Sequence, residues 1–125
     1  MAHILVIDDE IAIQKLFRQF LEGEGYSVSS ASDGREGLRL IKQKKPDLVI
    51  TDIMMPEMDG LEVVREIKGK YPELPIIAIS GGMHGVQINF LSLAGKFGAH
   101  RVFEKPVVLA ELLNAVRELL GTCGK

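Results

Sequence analysis

The chain is poor in several features, and each shortage excludes a class of protein. Cys123 is the one cysteine among 125 residues, so no internal disulfide can form, which is typical of a reducing compartment. No apolar run approaches the ~20 residues of a membrane-spanning helix, so membrane insertion is not expected. The first residues also lack the basic and apolar pattern of a signal peptide. Together these absences predict a cytoplasmic protein.

An excess of charge of one sign is absent as well. The chain has 15 lysine and arginine residues against 17 aspartate and glutamate residues, a formal net charge of −2. Non-specific nucleic-acid binding usually requires a basic face, so no direct contact with nucleic acid is expected. Hydrophobic residues make up 46% of the chain, which is enough for one domain with a real core.

Strand-like and helix-like segments alternate along the whole chain. Each strand-like run is short and apolar, and each helix-like segment has apolar residues at a spacing of three and four. Five βα units in a row predict an α/β fold, a flavodoxin-like doubly wound parallel sheet of order 2-1-3-4-5. We expect one domain over residues 1–125, with no output domain in the chain. The predicted strands are 3–7, 26–31, 48–51, 76–80 and 101–104, and the predicted helices are 10–22, 34–44, 61–70, 86–97 and 108–120.

Carboxylates follow two of the predicted strands. Asp8 and Asp9 come directly after the first strand, and Asp52 comes after the third. Because ligands bind at the carboxyl edge of such a sheet, we expect these acids to converge there. Mg²⁺ or Mn²⁺ would relieve their mutual repulsion, and a carboxylate beside such an ion can accept a phosphoryl group. The alternative is that each acid serves only as a helix cap or a turn residue.

Three further segments are predicted to end at the same edge. The turn at 56–60 would hold the backbone carbonyl of Met54 near the carboxylates, where Mg²⁺ accepts such an oxygen. Ser80 follows the fourth strand, and its hydroxyl can donate to a phosphoryl oxygen. Lys105 follows the fifth strand, and its ammonium offsets the carboxylates. Each feature alone is equally typical of an ordinary turn, but chance would rarely place all of them at one edge.

On these residues the chain resembles a response regulator receiver domain over nearly its whole length. The resemblance implies that Asp52 accepts a phosphoryl group from a histidine kinase or a histidine phosphotransfer protein. The matching segments are Val6-Ile7-Asp8-Asp9, Asp52-Ile53-Met54-Met55-Pro56-Glu57-Met58-Asp59-Gly60, Ile79-Ser80-Gly81, Gly98-Ala99 and Lys105-Pro106.

The resemblance also assigns roles around the acceptor. Asp52 and Asp9 would bind Mg²⁺ directly with the Met54 carbonyl, and Asp8 would bind it through water. The chain would not be an enzyme in the ordinary sense, because it would catalyse only its own phosphorylation and dephosphorylation. It would be a phosphorylation-dependent switch or, alternatively, a phosphorelay intermediate or a receiver fragment of a larger regulator.

One position departs from the pattern of the family. Val102 stands where the family has a tyrosine or phenylalanine that follows the serine inward. We therefore predict that the signal leaves through the 80–85 loop and the helix after it. Phe103 next to it would point to the opposite face of the strand, into the core.

The predicted helix 86–97 carries a second small apolar strip of Ile88 and Leu91. Scattered surface apolar residues are normal. The alternative is a surface for a downstream protein partner or a homodimer, formed by this helix, the fifth strand and the last helix. The predicted switch and partner surface comprises Ser80, Gly81, Ile88, Leu91 and Val102.

Two other classes of function are weaker candidates. A Mg²⁺-dependent aspartyl phosphohydrolase needs a second aspartate as general acid two positions after the nucleophile, where Met54 stands and cannot transfer a proton. A flavodoxin-like flavin carrier needs a phosphate-binding loop after the first strand. Asp8 and Asp9 in that loop would repel phosphate, and the chain has no tryptophan to stack on a flavin.

Overall fold

The elements of the fold follow the predicted alternation. The computed structural model describes residues 2–53, 60–80, 98–104 and 106–121. Every predicted strand is confirmed, and each described helix begins and ends within one residue of the prediction; the predicted helix 86–97 lies outside the described residues. The strands are β1 (His3–Ile7), β2 (Ser27–Ala31), β3 (Leu48–Asp52), β4 (Ile76–Ser80) and β5 (Arg101–Glu104), and the helices are α1 (Ile11–Gly23), α2 (Gly34–Gln43), α3 (Gly60–Lys70) and α4 (Leu109–Leu120).

The five strands form one parallel sheet in the order β2-β1-β3-β4-β5, as predicted. In its register Ile7 lies opposite Thr51, so β1 and β3 end side by side. This register brings the residues after β1 next to Asp52, the last residue of β3. No helix in the described part of the chain is both long enough and apolar enough to cross a membrane.

Helices cover both faces of the sheet, and the sheet separates the core into two clusters. On one face, α1 and α4 pack on alternate residues of the central strands, and Phe103 of β5 packs against this cluster. On the other face, α2 and α3 cover a second cluster around Leu5, Ile7 and Val49. All of β3 is buried, which explains why it begins with three consecutive apolar residues at 48–50 instead of an alternating pattern.

The buried face of α1 includes one polar residue and leaves one leucine exposed. Leu16 belongs to the apolar spacing that predicted this helix, but it is 45% exposed. The buried residues of α1 are Gln14, Phe17 and Leu21, which lie three and seven positions apart on one stripe. Leu16 is turned about 100° from Phe17 and therefore points to solvent.

The pKa of His3 leads to a prediction about the dependence of stability on pH. Its ring contacts the hydroxyls of Ser27 and Ser29, at 2.9 Å and 2.8 Å. Burial, and then the nearby ammonium of Lys44, lower its pKa below 6.5, although Asp47 opposes them. Between the folded and unfolded pKa values the unfolded state binds more protons, so stability falls as pH drops through 6.5 and levels off below the folded pKa.

Urea unfolding at closely spaced pH values between 8 and 5 measures this loss. The pKa of His100 is lowered in the same direction, by burial and then by Lys68. In a His3→Gln variant, the free energy of unfolding should therefore depend on pH less steeply than in the wild type, and the remaining dependence comes from His100. A slope unchanged by the substitution would contradict the assignment to His3.

Candidate acidic metal site

Three carboxylates meet at the carboxyl edge of the sheet. Asp8, Asp9 and Asp52 each offer a carboxylate oxygen, and these oxygens all lie within 4.8 Å of one another. Asp8 is 2% exposed and Asp52 is 4% exposed, whereas Asp9 is exposed. The parallel pairing of β1 with β3 causes this convergence, because both strands end at the same level. We refer to the three residues as the acidic cluster.

The backbone of Asp8 is held on both sides. Its N–H donates to the carbonyl of Ala31 at 3.0 Å, which extends the pairing of β1 with β2 by one residue. Its own carbonyl accepts a hydrogen bond from Gln14 Nε2 at 2.6 Å. Its carboxylate Oδ1 accepts the N–H of Glu10 at 2.8 Å. This last bond is a local turn contact of the kind that aspartate makes after a strand, so Asp8 has a local structural role within the acidic cluster.

The acceptor candidate Asp52 is fixed by its neighbours in the sheet. The N–H of Ile53 donates to the carbonyl of Ile79 at 2.8 Å, so the β3–β4 pairing continues past Asp52. The buried hydroxyl of Thr51 donates to the Asp52 carbonyl at 3.1 Å. These bonds leave the Asp52 backbone little freedom, and its carboxylate stays at the edge of the sheet beside Asp8 and Asp9.

Gln14 is a residue that the sequence analysis missed. Its side chain is 8% exposed, and Nε2 contacts the Asp8 carbonyl at 2.6 Å, the Ala31 carbonyl at 3.3 Å and the Ser32 hydroxyl at 3.3 Å. It thereby ties α1 to the segments that follow β1 and β2. The sequence contained one signal for it, namely an uncharged polar residue in the stripe that Phe17 and Leu21 define.

The donor set fits a small, hard divalent ion. Carboxylate oxygens are the ligands that Mg²⁺ and similar ions prefer. At Mg²⁺–oxygen distances of about 2.0–2.1 Å, two ligand oxygens on opposite sides of one ion lie roughly 4.2 Å apart. The oxygens of the acidic cluster already lie within 4.8 Å of one another, so small side-chain rotations bring them into range. Three negative groups this close also repel one another, which favours a bound cation.

The other predicted site residues are only partly described. Ser80 is the last residue of β4 and pairs with Glu104, so its backbone lies at the carboxyl edge, but its side chain is outside the described part. Val102 is 38% exposed on β5. Their roles stay predictions, as do those of five positions outside the described residues: Met54, Gly81, Ile88, Leu91 and Lys105.

Comparisons with known proteins agree with this geometry. The family model of the response regulator receiver domain matches residues 4–117. The response regulator MprA of Mycolicibacterium vanbaalenii is 42% identical over 117 residues, which are 94% of this chain and 49% of that protein. The chain spans about half the length of the curated relatives it matches.

Two solved structures show the same fold over most of their own length. The response regulator receiver domain protein from Clostridium thermocellum is 37% identical, with a TM-score of 0.90 over 98% of this chain and 96% of that one. The receiver domain of NtrX from Brucella abortus is also 37% identical, with a TM-score of 0.86 over 95% of this chain and 98% of that one.

Proposed function

Because the chain belongs to the response regulator receiver domain family of two-component signalling, we propose that Asp52 is the acceptor of a phosphoryl group. The donor is the phosphohistidine of a histidine kinase or a histidine phosphotransfer protein. The observation that carries the proposal is the convergence of Asp8, Asp9 and Asp52 within 4.8 Å at the carboxyl edge of the sheet. An open α/β sheet binds its ligands at this edge.

The chemistry is a phosphoryl transfer in which the chain supplies position and charge. A carboxylate oxygen of Asp52 would attack phosphorus while the phosphorus–nitrogen bond of the donor breaks. The electron pair of that bond would stay on the donor nitrogen, and a ring protonated on its other nitrogen would leave as neutral imidazole. A bound Mg²⁺ or Mn²⁺ would supply positive charge against the phosphoryl oxygens. Asp8 and Asp9 would hold that ion beside Asp52, and the backbone hydrogen bonds around Asp52 would help to keep its carboxylate in position for an incoming donor.

Three further groups are proposed to complete the site. The Met54 carbonyl would add an oxygen ligand to the ion. The Ser80 hydroxyl would donate to a phosphoryl oxygen, and the Lys105 ammonium would pair with the transferred group. The support for these roles is the motif in which each residue stands, and for Ser80 also the position of its backbone at the end of β4.

We propose that the chain acts as a switch and has no separate substrate. It would catalyse only its own phosphorylation and dephosphorylation, in the cytoplasm. Phosphorylation would shift the population between two conformations of the surface that includes β5 and α4. The surface would control a downstream protein or a second copy of the chain, and Val102, 38% exposed there, replaces the usual aromatic side chain.

Intact-mass spectrometry after incubation with acetyl phosphate and Mg²⁺ tests the proposal. We expect a gain of one phosphoryl group that requires Mg²⁺ and is abolished in Asp52→Ala, because this substitution removes the attacking oxygen. Asp47→Ala is a matched control, since Asp47 is exposed and precedes the opposite end of β3; it should be phosphorylated like the wild type. Wild-type protein that is folded and binds Mg²⁺ but gains no mass would refute the proposal.

A further inference from the structure

The peptide group between Asp8 and Asp9 is the link between two members of the acidic cluster. A peptide group is planar and rotates as one rigid unit. The carbonyl of Asp8 and the N–H of Asp9 belong to the same plane. The direction of that carbonyl therefore restrains two backbone torsion angles, ψ of Asp8 and φ of Asp9. Any group that holds this carbonyl therefore restrains the backbone positions from which both carboxylate side chains extend.

Gln14 is the side chain that holds it. Its Nε2 lies 2.6 Å from the Asp8 carbonyl oxygen, the shortest of its three contacts. The amide must present its nitrogen here, because an amide oxygen in the same place would face the carbonyl oxygens of Asp8 and Ala31. The orientation of the side chain is thus determined by its surroundings.

The backbone of Gln14 is also held in place. Gln14 lies in the first turn of α1, and its backbone N–H donates to the carbonyl of Glu10 at 3.1 Å. Its side chain is 8% exposed, so water competes little for the hydrogen bond, which is stronger in such surroundings. The carbonyl of Ala31 accepts from both Gln14 and the N–H of Asp8, which ties the end of β2 to the same arrangement.

We propose that Gln14 is a positioning residue that sets the divalent-cation affinity of the acidic cluster by fixing the peptide plane between Asp8 and Asp9. The inference rests on the proposed function of the cluster. Without the amide, the buried Asp8 carbonyl loses its hydrogen bond from Gln14, and the peptide plane is held less firmly and rotates. Rotation carries the Asp9 carboxylate away from Asp52, so the cluster binds the ion less tightly.

A purely structural role for Gln14 makes a different prediction. A residue that only satisfies a buried carbonyl would affect unfolding, but the folded protein would bind Mg²⁺ as before. The test therefore has to separate the affinity of the folded state from its stability. Calorimetric titration of the folded protein with Mg²⁺ alone measures the first, and thermal unfolding in a chelator measures the second.

Gln14→Met is the main variant, because methionine has similar length and no charge but cannot donate. We expect its Mg²⁺ affinity to fall about tenfold, the lower end of the range for residues that orient metal ligands. The amide of Asp9 should also exchange its hydrogen faster than in the wild type. Ile67→Val is the matched control: Ile67 is fully buried in α3, so the substitution lowers stability while the Mg²⁺ affinity stays at the wild-type value.

Each outcome decides between the two roles. An unchanged affinity in Gln14→Met, or an equal loss in Ile67→Val, overturns the inference and leaves the proposed function intact. A wild type that binds no Mg²⁺ overturns the proposed metal site itself. If Gln14→Met does not fold, Gln14→Asn replaces it, since it withdraws the amide by one methylene and keeps its polarity; it should weaken binding in the same way.

Discussion

Replacing Gly37 by alanine is expected to lower the free energy of unfolding by about 2 kcal/mol, within the usual range for overpacking a core. An added Cβ would lie 2.4 Å from Ile7 Cδ1 and 2.9 Å from Ile7 Cγ1. Ile7, the last residue of β1, is fully buried in the core cluster under α2 and α3, so its side chain has little space into which to move. The helix α2 has to move outward instead.

A second glycine provides the matched control. Gly69 lies in α3, is exposed, and would place its Cβ with nothing within 4 Å. Gly69→Ala is therefore expected to raise stability by about 0.5–1 kcal/mol, because alanine loses less backbone entropy in a helix than glycine. The same substitution should thus have opposite signs at the two sites, and urea unfolding of both variants at one temperature measures the difference.

A double-mutant cycle attributes the effect of Gly37→Ala to its neighbour. Ile7→Val removes Cδ1, the Ile7 atom nearest to a Cβ added at position 37. When the two substitutions are combined, part of the stability lost in Gly37→Ala should therefore be recovered. Contacting residues of this kind show coupling of about 0.5–3 kcal/mol. Simple additivity of the two single losses would show that the approach of α2 to Ile7 is not the cause.

The sheet and the acidic cluster were accessible from the sequence because both follow from local patterns. Apolar runs locate the strands, and the acids that follow Ile7 and Thr51 lie at the end where parallel strands meet a ligand. The pairing of β1 with β3 then brings Asp8 to Asp52 without further information. The family resemblance added the roles of the individual carboxylates, which strand patterns alone do not distinguish.

The roles of Gln14 and Gly37 were not accessible in this way, because they depend on distances between elements. The spacing of apolar residues located α1 but passed over Gln14, because hydrophobic periodicity does not identify a polar side chain that donates to two buried carbonyls. The sequence gives no sign that Gly37 differs from other glycines, and only the distance between α2 and Ile7 shows why a larger side chain does not fit.

Mg²⁺ is expected to stabilise the folded protein strongly and specifically. A ligand that binds only the folded state adds about 2.7 kcal/mol to the free energy of unfolding at a concentration one hundred times its dissociation constant. The gain here would come from the acidic cluster, whose oxygens lie within 4.8 Å of one another and repel in the absence of a cation. Denaturant unfolding with Mg²⁺ and with a chelator measures it.

Asp9→Asn should remove most of this gain. Asp9 is the exposed member of the cluster, so its replacement costs the fold little, yet it removes one of three charges that attract the ion. If the affinity falls a hundredfold, the same Mg²⁺ concentration adds only roughly 0.4 kcal/mol. Glu22→Gln, which neutralises an exposed acid near the end of α1, should keep the full gain. Equal gains in both variants would mean that Mg²⁺ acts by general screening, because only a site formed by the acidic cluster distinguishes Asp9 from any other surface carboxylate.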